Sequence, residues 1–594
     1  MPESIAHRDT PPAPCDDAAM TFDPARPFVL LDDASTGGSA RLFTELTGEV
    51  TADTPADFRP ALDRLRHGGS WAGFIGFDAG YALEPVILPL ARSGGDGLPL
   101  LWFGEFAEVA TIDPATILGD GPARIGSLAP GIDEARYADM LAETAALIAA
   151  GDIYQANITF AATVAVAGHP LALYRRLRAA AAAPFGALVH TGSAWLLSLS
   201  PEMFFTLDAG RLTARPMKGT APRGATAADD DAAATALAAD SKNRAENLMI
   251  VDLLRNDLSR VAVPGSVAVP SLFAVERYPT LLQMTSTITA TTTAHPVDVL
   301  TALFPCGSIT GAPKIRAMQV IAEVEAGPRG VYTGSIGAIT GTNAAFNVAI
   351  RTLVMTARGS ARIGLGAGIV ADSVAADEWR ECLAKGAFLA RRPPPDIIET
   401  MRCEDGVVAR LDRHLARATA TARYLGTPFD TAAIAAAVTA ATAGATARVR
   451  LLISPRGAVA IELSPLPALP APPVEVALTP LPVDPGDWRL RHKTSDRAFY
   501  DAARTESGAF EVIFTTPGGH LTEGSFTNVF LARADGILLT PPLTAGLLPG
   551  ILRAELIANG RAVEAPLTPA DLAGGFVIGN ALRGLIAARL RGAA

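Results

Sequence analysis

The chain has 594 residues, of which 49% are hydrophobic and 19% are charged. This length and composition predict two to four folded units with large cores and exclude a disordered or collagen-like protein. The balance of 50 basic against 60 acidic residues gives a net charge of −10 without a basic tract, which argues against a nucleic-acid partner.

The first 20 residues are polar and rich in proline, where a signal peptide would need a basic start and an apolar segment. We expect residues 1–20 to form a disordered tail. No apolar run reaches the length of a membrane span, so no membrane association is expected. Cys15, Cys306, Cys382 and Cys403 lie far apart, without the spacing of a zinc site or a disulfide framework, which fits a reducing cytoplasm.

The first unit contains three segments with a clear pattern. RPMKGTAPRG at 215–224 predicts a rigid loop, because glycine and proline surround a single lysine, Lys218. RAENLMIVDLLRNDLSRV at 244–261 has the spacing of a largely buried amphipathic helix, and RIGLGAGIVADS at 362–373 predicts a strand with a glycine-rich bend. Glu246 lies near the start of that helix, a position that simple charge complementarity with the helix dipole also explains.

A further helix is predicted in DEWRECLAKGAFLARR at 377–392. Glu378, Glu381 and Lys385 are three and four residues apart, so they share one face of this helix. Taken alone, such a group is more often a surface ion pair than a site.

The stretch RRPPPD at 391–396 predicts the boundary between two units, because three prolines end the preceding helix and form a short stiff spacer. We expect one unit at 21–392, a proline linker at 393–396 and a second unit at 397–594.

The second unit opens with IIETMRCEDGVVARL, which predicts two strands around a turn, followed by a helix in DRHLARATATARYLG. Lys493 stands in a short basic stretch, and Glu523 lies in a predicted hairpin arm. In PLTAGLLPGILRAELI at 542–557 a Pro-Gly pair leads into a helix, whose first amides are free to bind a phosphate. A lysine, an acid and a phosphate cradle are the three parts that a pyridoxal phosphate site requires, although each alone is a weak signal.

Eight segments of the first unit resemble motifs of chorismate-utilising enzymes, in the same order and at similar spacings. They are GDIYQANIT at 151–159, SLSPEMFF at 198–205, RPMKGTAPRG at 215–224, RAENLMIVDLLRNDL from 244, LFPCGSITGAPKIRAM at 303–318, RGVYTGSIG at 329–337, AIRTL at 349–353 and GLGAGIVADS from 364. The resemblance implies an α+β fold of antiparallel sheets flanked by helices. It also implies the aminodeoxychorismate-forming branch of the family, because the anthranilate-forming branch usually carries alanine at the place of Lys218.

The same resemblance implies the chemistry of two residues. Lys218 would attack C2 of chorismate while the C4 hydroxyl leaves, and ammonia would then add at C4 and expel the lysine. Such an attack needs a neutral amine, which burial favours. Glu202, in SPEMFF, matches the carboxylate that protonates the leaving hydroxyl.

The resemblance further implies a Mg²⁺ ion held by Glu246 and Glu381, with Glu378 behind them. The chorismate contacts that it implies are Arg351, Lys385, Thr220, Thr310 and the backbone of Gly366, Ala367 and Gly368. Two positions depart from the family: Leu282 stands where many relatives have histidine, and Asn243 where some have an acid.

No nucleophile turn of the GxCxG kind surrounds any of the four cysteines. The resemblance therefore implies a separate glutamine amidotransferase subunit as the source of ammonia, which free ammonia could replace in vitro.

The second unit resembles the fold-type IV pyridoxal phosphate enzymes, an α/β group that includes branched-chain aminotransferases and aminodeoxychorismate lyase. Here Lys493 matches the lysine that bonds to the cofactor and Glu523 the partner of its ring nitrogen, while Arg417, Gly550 and Ile551 match the phosphate site. Leu552 and Ala581 replace hydroxyl residues that often bind this phosphate. A homodimer through this unit is left open, since relatives usually pair.

Three hypotheses about function follow. The leading one is a bifunctional enzyme that aminates chorismate and then eliminates pyruvate to give 4-aminobenzoate, a folate precursor. The second joins anthranilate synthase component I to a class IV aminotransferase, and the residues of the second unit leave an aminotransferase open. In the third, the second unit is a dimerisation scaffold without a cofactor.

Overall fold

The computed structural model describes residues 22–592 except positions 36–37, 96, 225–226, 279–280, 391–393 and 469–470. The predicted disordered tail and the first residue of the predicted linker lie outside the described residues. No helix in the described part of the chain is long and apolar enough to cross a membrane.

The first unit contains eighteen strands and nine α-helices among its described residues. The strands are β1 Phe28–Asp32, β2 Ala40–Ala52, β3 Ser70–Ile75, β4 Leu101–Ile112, β5 Arg124–Pro130, β6 Gln155–Ala167, β7 Phe185–His190, β8 Trp195–Ser200, β9 Met203–Asp208, β10 Arg211–Arg215, β11 Met217–Pro222, β12 Ala268–Arg277, β13 Leu281–Thr291, β14 Gly311–Ala312, β15 Ser335–Thr340, β16 Asn343–Val348, β17 Thr352–Ala357 and β18 Ser360–Ile369. The helices are α1 Pro55–Arg64, α2 Ala115–Leu118, α3 Glu134–Ala149, α4 Pro170–Ala181, α5 Ala227–Ala239, α6 Ser241–Ser259, α7 Pro296–Leu303, α8 Lys314–Val324 and α9 Ala375–Gly386.

Every strand pairing recorded in the first unit is antiparallel, and together the pairings join the eighteen strands into one sheet system. Strand β1 shows why both faces of the sheet are buried: Phe28 and Leu30 point into the larger core, and Val29 points into a second core on the opposite face. Helices cover the outer faces. The predicted arrangement of antiparallel sheets flanked by helices is confirmed.

Two local predictions in the first unit are wrong. The segment around Lys218 is not a loop but strand β11, which pairs with β13 through a register shift between Met217 and Thr220. Such a bulge lets a strand turn one side chain out of the regular alternation. The glycine-rich segment of β18 is not bent, because it pairs with β6 residue by residue from Ser360 to Ile369.

The second unit contains twelve strands and four α-helices among its described residues. The strands are β19 Ile397–Glu404, β20 Val407–Val408, β21 Ala447–Ile453, β22 Val459–Ser464, β23 Val474–Pro480, β24 Glu511–Thr515, β25 Leu521–Gly524, β26 Asn528–Ala532, β27 Leu538–Thr540, β28 Ala562–Glu564, β29 Phe576–Asn580 and β30 Gly584–Leu590. The helices are α10 Leu411–Leu425, α11 Thr431–Thr442, α12 Ala498–Ser507 and α13 Ile551–Ala558.

These strands form a four-stranded antiparallel sheet, β20-β19-β21-β22, and an eight-stranded mixed sheet in which β23 runs parallel to β24 and β30. Helix α10 packs its buried residues on the smaller sheet, as the helical spacing of the sequence predicts. The predicted strand pair, the helix after it and the Pro-Gly helix start are all present.

One buried arginine links the two units. Arg223, just after β11, forms an ion pair with Asp230 and donates to the carbonyl oxygens of Tyr278 and Tyr424 at 2.7 and 2.8 Å. Its guanidinium also lies 5.0 Å from the ring centre of Tyr424, on α10. The strand that carries Lys218 therefore leads into a contact with the helix that carries Arg417. The unit boundary at 391–396 stays a prediction.

Candidate active sites

A cavity of about 620 Å³ in the first unit brings together most of the side chains predicted for chorismate chemistry. Ten predicted residues line it: Glu202, Lys218, Thr220, Glu246, Arg351, Gly366, Gly368, Glu378, Glu381 and Lys385. Beyond Ile363, strand β18 has no recorded pairing with its neighbour β17, so this edge of the sheet faces the cavity.

Hydrogen bonds to the backbone carbonyls of Lys218 and Gly219 fix the bulge in β11. Gly219 has a φ of +92°, a conformation that favours glycine, and a Cβ there would lie 2.8 Å from Asn243 Oδ1. The amide of buried Asn247 donates to the Lys218 carbonyl at 3.4 Å, and Gln283 Nε2 donates to the Gly219 carbonyl at 2.9 Å. Asn243, at the position where some relatives have an acid, thus packs against the bulge.

The amine of Lys218 lies close to β18 and to a buried amide. A Cβ on Gly368 would be 3.1 Å from Lys218 Nζ and 2.9 Å from Gln155 Nε2, so only glycine leaves room for both groups. Burial lowers the pKa of Lys218, and the positive charge of Lys385 lowers it further, against the opposing effect of nearby glutamates. The geometry therefore favours the neutral amine that a nucleophilic lysine needs.

Glu202 lies between β8 and β9 and is buried. Burial raises its pKa to about 7, although the hydroxyl of Ser308 donates to Glu202 Oε1 at 2.7 Å and Lys218 and Lys385 favour its ionised form. A carboxyl group with this pKa is present in both protonation states near neutral pH, which suits a proton donor.

The three glutamates predicted for a metal come from two helices. Asp240 caps α6, with its carboxylate accepting from the Asn243 amide at 2.7 Å, and this helix carries Glu246. On α9, Glu381 pairs with Lys385 at 2.8 Å, and Glu378 accepts from the Ser373 hydroxyl at 2.7 Å.

The pKa values of the two glutamates on α9, Glu378 and Glu381, are shifted in opposite directions. Burial raises the pKa of Glu378. Burial acts in the same direction on Glu381, but the adjacent Lys385 outweighs it, so the pKa of Glu381 lies below its usual value. Lys385 also donates to the Gly366 carbonyl at 2.8 Å, which holds its ammonium at the sheet edge.

Among the described residues, no group of three or more histidine, cysteine, aspartate or glutamate side chains is arranged to hold a metal ion. Mg²⁺ usually takes only one or two protein carboxylates and fills its remaining positions with water and an anionic substrate. Glu246 and Glu381, both lining the cavity, are hard oxygen donors of this kind and fit such a partial site.

Three predicted or noted positions lie away from the cavity surface. Thr310 is fully buried, and its hydroxyl donates to the carbonyls of Cys306 and Gly307. Ala367 is fully buried within β18. Leu282 packs in a small core with Met284, so the histidine-to-leucine departure fills a core position.

Sequence reasoning assigned no role to Gln155, although the motif GDIYQANIT contains it. Its side chain is buried, and neither amide atom has a hydrogen-bond partner among the described residues. Such an unpaired buried amide is costly unless a ligand or water pairs with it. No local signal set Gln155 apart, because Asn157 and Thr159 follow it in the same strand.

The second unit contains a pocket of about 250 Å³. Six of the residues singled out in the sequence line it: Arg417, Lys493, Glu523, Gly550, Ile551 and Ala581. Leu552 does not, because its side chain packs with Phe530 and Leu556 in a core cluster. The side chain at position 552 therefore adds no polar group to the helix start.

Lys493 is partly buried and Glu523 is buried, and both have strongly shifted pKa values. Burial and, less strongly, the charges of Arg497 and Arg417 lower the pKa of Lys493 to about 7, against the opposing effect of two glutamates. Burial raises the pKa of Glu523 to about 7, while Tyr500 and the Leu548 amide donate to Glu523 Oε1 at 2.6 and 3.0 Å.

Arg417 is fixed by a buried carboxylate. Its Nε and one terminal nitrogen donate to Glu399 at 2.8 and 2.7 Å, and the other terminal nitrogen donates to the Pro549 carbonyl at 3.1 Å. His414 contacts the same carboxylate at 2.7 Å, and its Nε2 is buried without a partner among the described residues. A guanidinium has five donors, so Arg417 keeps two for an anion.

These residues fit pyridoxal phosphate. The pocket offers an amine that is half neutral near pH 7, a carboxyl group held by hydrogen bonds, and an arginine beside the start of α13, whose first amides have no intrahelical partner. The side chains at 552 and 581 supply no hydroxyl for the phosphate, so the arginine and the backbone amides are the predicted groups that could hold it.

The chain belongs to the chorismate binding enzyme family, whose pattern matches residues 16–391. Residues 396–590 match the amino-transferase class IV family, so the chain combines a chorismate-binding domain with a class IV domain. Both sequence resemblances are thereby confirmed.

Among curated relatives, aminodeoxychorismate synthase component 1 of Klebsiella aerogenes is 44% identical over 252 residues, covering 42% of this chain and 56% of the relative. Anthranilate synthase component 1 3 of Haloarcula marismortui (strain ATCC 43049 / DSM 3752 / JCM 8966 / VKM B-1809) is 40% identical over 259 residues, covering 43% and 51%. The chain thus spans about half the length of these relatives.

A crystal structure of anthranilate synthase component I from Streptococcus pneumoniae TIGR4 superposes with a TM-score of 0.51 at 23% identity, covering 64% of this chain and 95% of that one. This likeness supports the fold of the first unit.

Proposed function

We propose that the chain catalyses two consecutive reactions: it aminates chorismate to 4-amino-4-deoxychorismate and then eliminates pyruvate to give 4-aminobenzoate. The observation that carries the first step is the placement of the Lys218 amine, its pKa lowered by burial, in one cavity with Glu202, whose pKa burial raises to about 7.

In the first step, neutral Lys218 attacks C2 of chorismate as the C4 hydroxyl leaves, and protonated Glu202 delivers the proton that lets it depart as water. Ammonia then adds at C4, and the lysine leaves from C2 with the bonding pair. Arg351 and Lys385, which line the cavity, are suited to bind the two carboxylates of chorismate. Mg²⁺ would neutralise carboxylate charge when bound, with Glu246 and Glu381 as its protein ligands.

The second step belongs to the pocket around Lys493. Pyridoxal phosphate supplies an electron sink when bound. Lys493, with a pKa of about 7, is suited to remove the proton at C4 of the substrate and to return a proton to the departing enolpyruvyl group, which leaves as pyruvate. Glu523 would pair with the cofactor ring nitrogen, and Arg417 with the start of α13 would hold the phosphate.

The ammonia is proposed to come from a separate glutamine amidotransferase subunit. A cysteine that released ammonia from glutamine would need to be a reactive thiolate. The three described cysteines are buried, and burial raises the pKa of Cys306 to about 12 and of Cys382 to about 11. These thiols are inert, and a chain with free thiols suits the cytoplasm.

The test is to incubate the chain with chorismate, ammonia, Mg²⁺ and pyridoxal phosphate and to identify the products. We expect equal amounts of 4-aminobenzoate and pyruvate. Anthranilate as the aromatic product would overturn the first step, and accumulation of 4-amino-4-deoxychorismate in the presence of the cofactor would overturn the second. Without the cofactor, that accumulation is the expected result and serves as the control.

A further inference from the structure

Two arginines in the pocket of the second unit have no counter-ion. Arg448, on β21, and Arg583, between β29 and β30, both line the pocket that contains Lys493. Among the described residues, neither guanidinium makes a hydrogen bond or an ion pair, and Arg448 Nε is buried without any partner. The other two arginines of the pocket each have a partner within the protein. Arg417 pairs with Glu399, and Arg497 donates to the Ser525 carbonyl at 2.7 Å.

The carboxylates near these two arginines are already engaged. Glu511 accepts from the amides of Ser525 and Phe526 at 3.0 and 3.1 Å and from the hydroxyl of Thr527 at 2.8 Å. Glu523 is held by Tyr500, as described above, and Glu399 by Arg417 and His414. The pocket therefore carries positive charge that the protein itself leaves uncompensated.

The two guanidinium groups also act on each other. Burial lowers the pKa of Arg583, and the charge of Arg448 lowers it further. Arg583 lies with its guanidinium carbon 5.0 Å from the ring centre of Phe526, which also lines the pocket. Both side chains are partly buried, and like charges in that position without partners are unfavourable, so a bound anion would relieve the cost.

We propose that Arg448 and Arg583 form a carboxylate-binding subsite that selects a dianionic substrate for the second reaction. The subsite rests on the proposed function in one respect: 4-amino-4-deoxychorismate carries one carboxylate on the ring and one on the enolpyruvyl group. The phosphate of the cofactor is assigned to Arg417, so these two arginines remain for substrate carboxylates. Guanidinium groups suit this task because they bind carboxylates through two parallel hydrogen bonds.

The subsite predicts discrimination against ordinary amino acids. An amino acid with an uncharged side chain has a single carboxylate, attached to the carbon that carries the amine. It would leave at least one of the two arginines without a partner, whereas a substrate with two separated carboxylates satisfies both. A missing partner for a buried charged group costs affinity and so gives selectivity.

Binding to the cofactor-free chain tests the subsite without turnover. Calorimetric titration with benzene-1,3-dicarboxylate and with benzoate would be compared for the unchanged chain, Arg448→Met, Arg583→Met and Arg589→Met. Arg589 is the control, since it lies exposed on β30 and pairs with Glu475 at 3.1 Å. The cavity of the first unit is the same in all four proteins, so differences report the pocket.

We expect each of Arg448→Met and Arg583→Met to weaken dicarboxylate binding about tenfold or more, as for the loss of a charge-assisted contact, and to change benzoate binding less. Arg589→Met should match the unchanged chain. Equal affinity for the two probes in the unchanged chain, or unchanged dicarboxylate binding in both variants, would overturn the proposal.

The holoenzyme provides the second measurement. Both variants, and Arg448→Lys in case methionine disturbs folding, should keep the visible absorbance of bound cofactor while KM for 4-amino-4-deoxychorismate rises about tenfold or more and kcat changes less. Loss of cofactor absorbance would instead make the arginines cofactor ligands and overturn the subsite. Because the binding experiment needs no product, a chain that fails to make 4-aminobenzoate refutes the proposed function without deciding on the subsite.

Discussion

The two candidate active sites each present one lysine whose pKa burial lowers, but the balance of charge around the two lysines differs. Lys218 faces a large cavity in which four glutamates stand beside three other basic residues, Lys242, Arg351 and Lys385, whereas Lys493 faces a smaller pocket in which four arginines stand beside one glutamate, Glu523. Burial alone therefore prepares an amine in both places, and the neighbouring charges decide what else can bind. The first surroundings suit a cation together with a carboxylate substrate, and the second suit an anionic cofactor and an anionic substrate.

The sharpest test of this comparison exchanges each lysine for alanine. Lys218→Ala should lower formation of 4-amino-4-deoxychorismate about 10³-fold or more while the second reaction, assayed with supplied intermediate, stays intact. Lys493→Ala should do the reverse, so that intermediate accumulates from chorismate. Product analysis of both variants by chromatography checks this. Loss of both reactions in either variant would show that the two sites are not independent.

The next largest effect concerns the glutamates in the cavity of the first unit. Glu246→Gln and Glu381→Gln should each raise the Mg²⁺ concentration needed for the first reaction about tenfold or more, because a neutral amide is a weaker ligand for a hard cation. The second reaction should be unaffected. Glu323→Gln, an exposed carboxylate outside the cavity, is the control. Unchanged Mg²⁺ titrations in both variants would remove these residues from the metal site.

The pH dependence should run in opposite directions at the two sites. Glu202 must be protonated to act as an acid and has a pKa of about 7, whereas Lys218 must be neutral, so the rate of the first reaction divided by that of Glu202→Gln should fall several-fold as pH rises from about 6 to 8 at a constant concentration of neutral ammonia. Lys493 must be neutral to bond to the cofactor, and its pKa is also about 7, so cofactor binding should weaken below pH 7.

Rate measurements across this range, and cofactor titrations of the cofactor-free chain, provide the check. Glu202→Gln should be slow throughout and keep only the pH dependence of the other groups, including Lys218. A ratio of the two rates that rises with pH would contradict the role of Glu202 as a proton donor.

Much of the fold could be predicted from the sequence, because long periodic segments report it locally. The helix at 244–261 was expected three residues short of its true start at Ser241, and the strand pair and helix at the start of the second unit lie where their patterns indicate. The bulge at Lys218 could not be predicted as a strand, since its pairing with β13 involves residues about 65 positions away. Glycine and proline there suggested a loop on local grounds alone.

The candidate sites were predictable where a motif supplied them, and less so where only folding brings residues together. Thr310 belongs to a quoted motif, yet its hydroxyl is used by neighbouring carbonyls. Arg448 and Arg583 lie more than a hundred residues apart and meet only in the folded pocket. The alternation of Arg448 and Arg450 with apolar residues on β21 was the one local signal that this strand has a polar face.

The smallest expected effect concerns the contact that joins the two regions. Arg223 and Arg423 both reach across the unit boundary, but the Arg223 side chain is 6% exposed and that of Arg423 is 65% exposed. Arg223→Ala leaves buried Asp230 with the Gly224 amide at 3.1 Å and the weaker contact of Arg277 at 3.3 Å, and it removes the donor to Tyr424, so we expect a loss of about 2 kcal/mol of unfolding free energy. Arg423→Ala removes an exposed pair with Asp231 and should change stability by less than about 0.5 kcal/mol. Denaturant unfolding followed by circular dichroism measures both changes. Because neither arginine lines a cavity, both reactions should persist in both variants. Equal stability changes would mean that the buried contact contributes no more than the exposed one, and the two regions would then be joined chiefly by the chain itself.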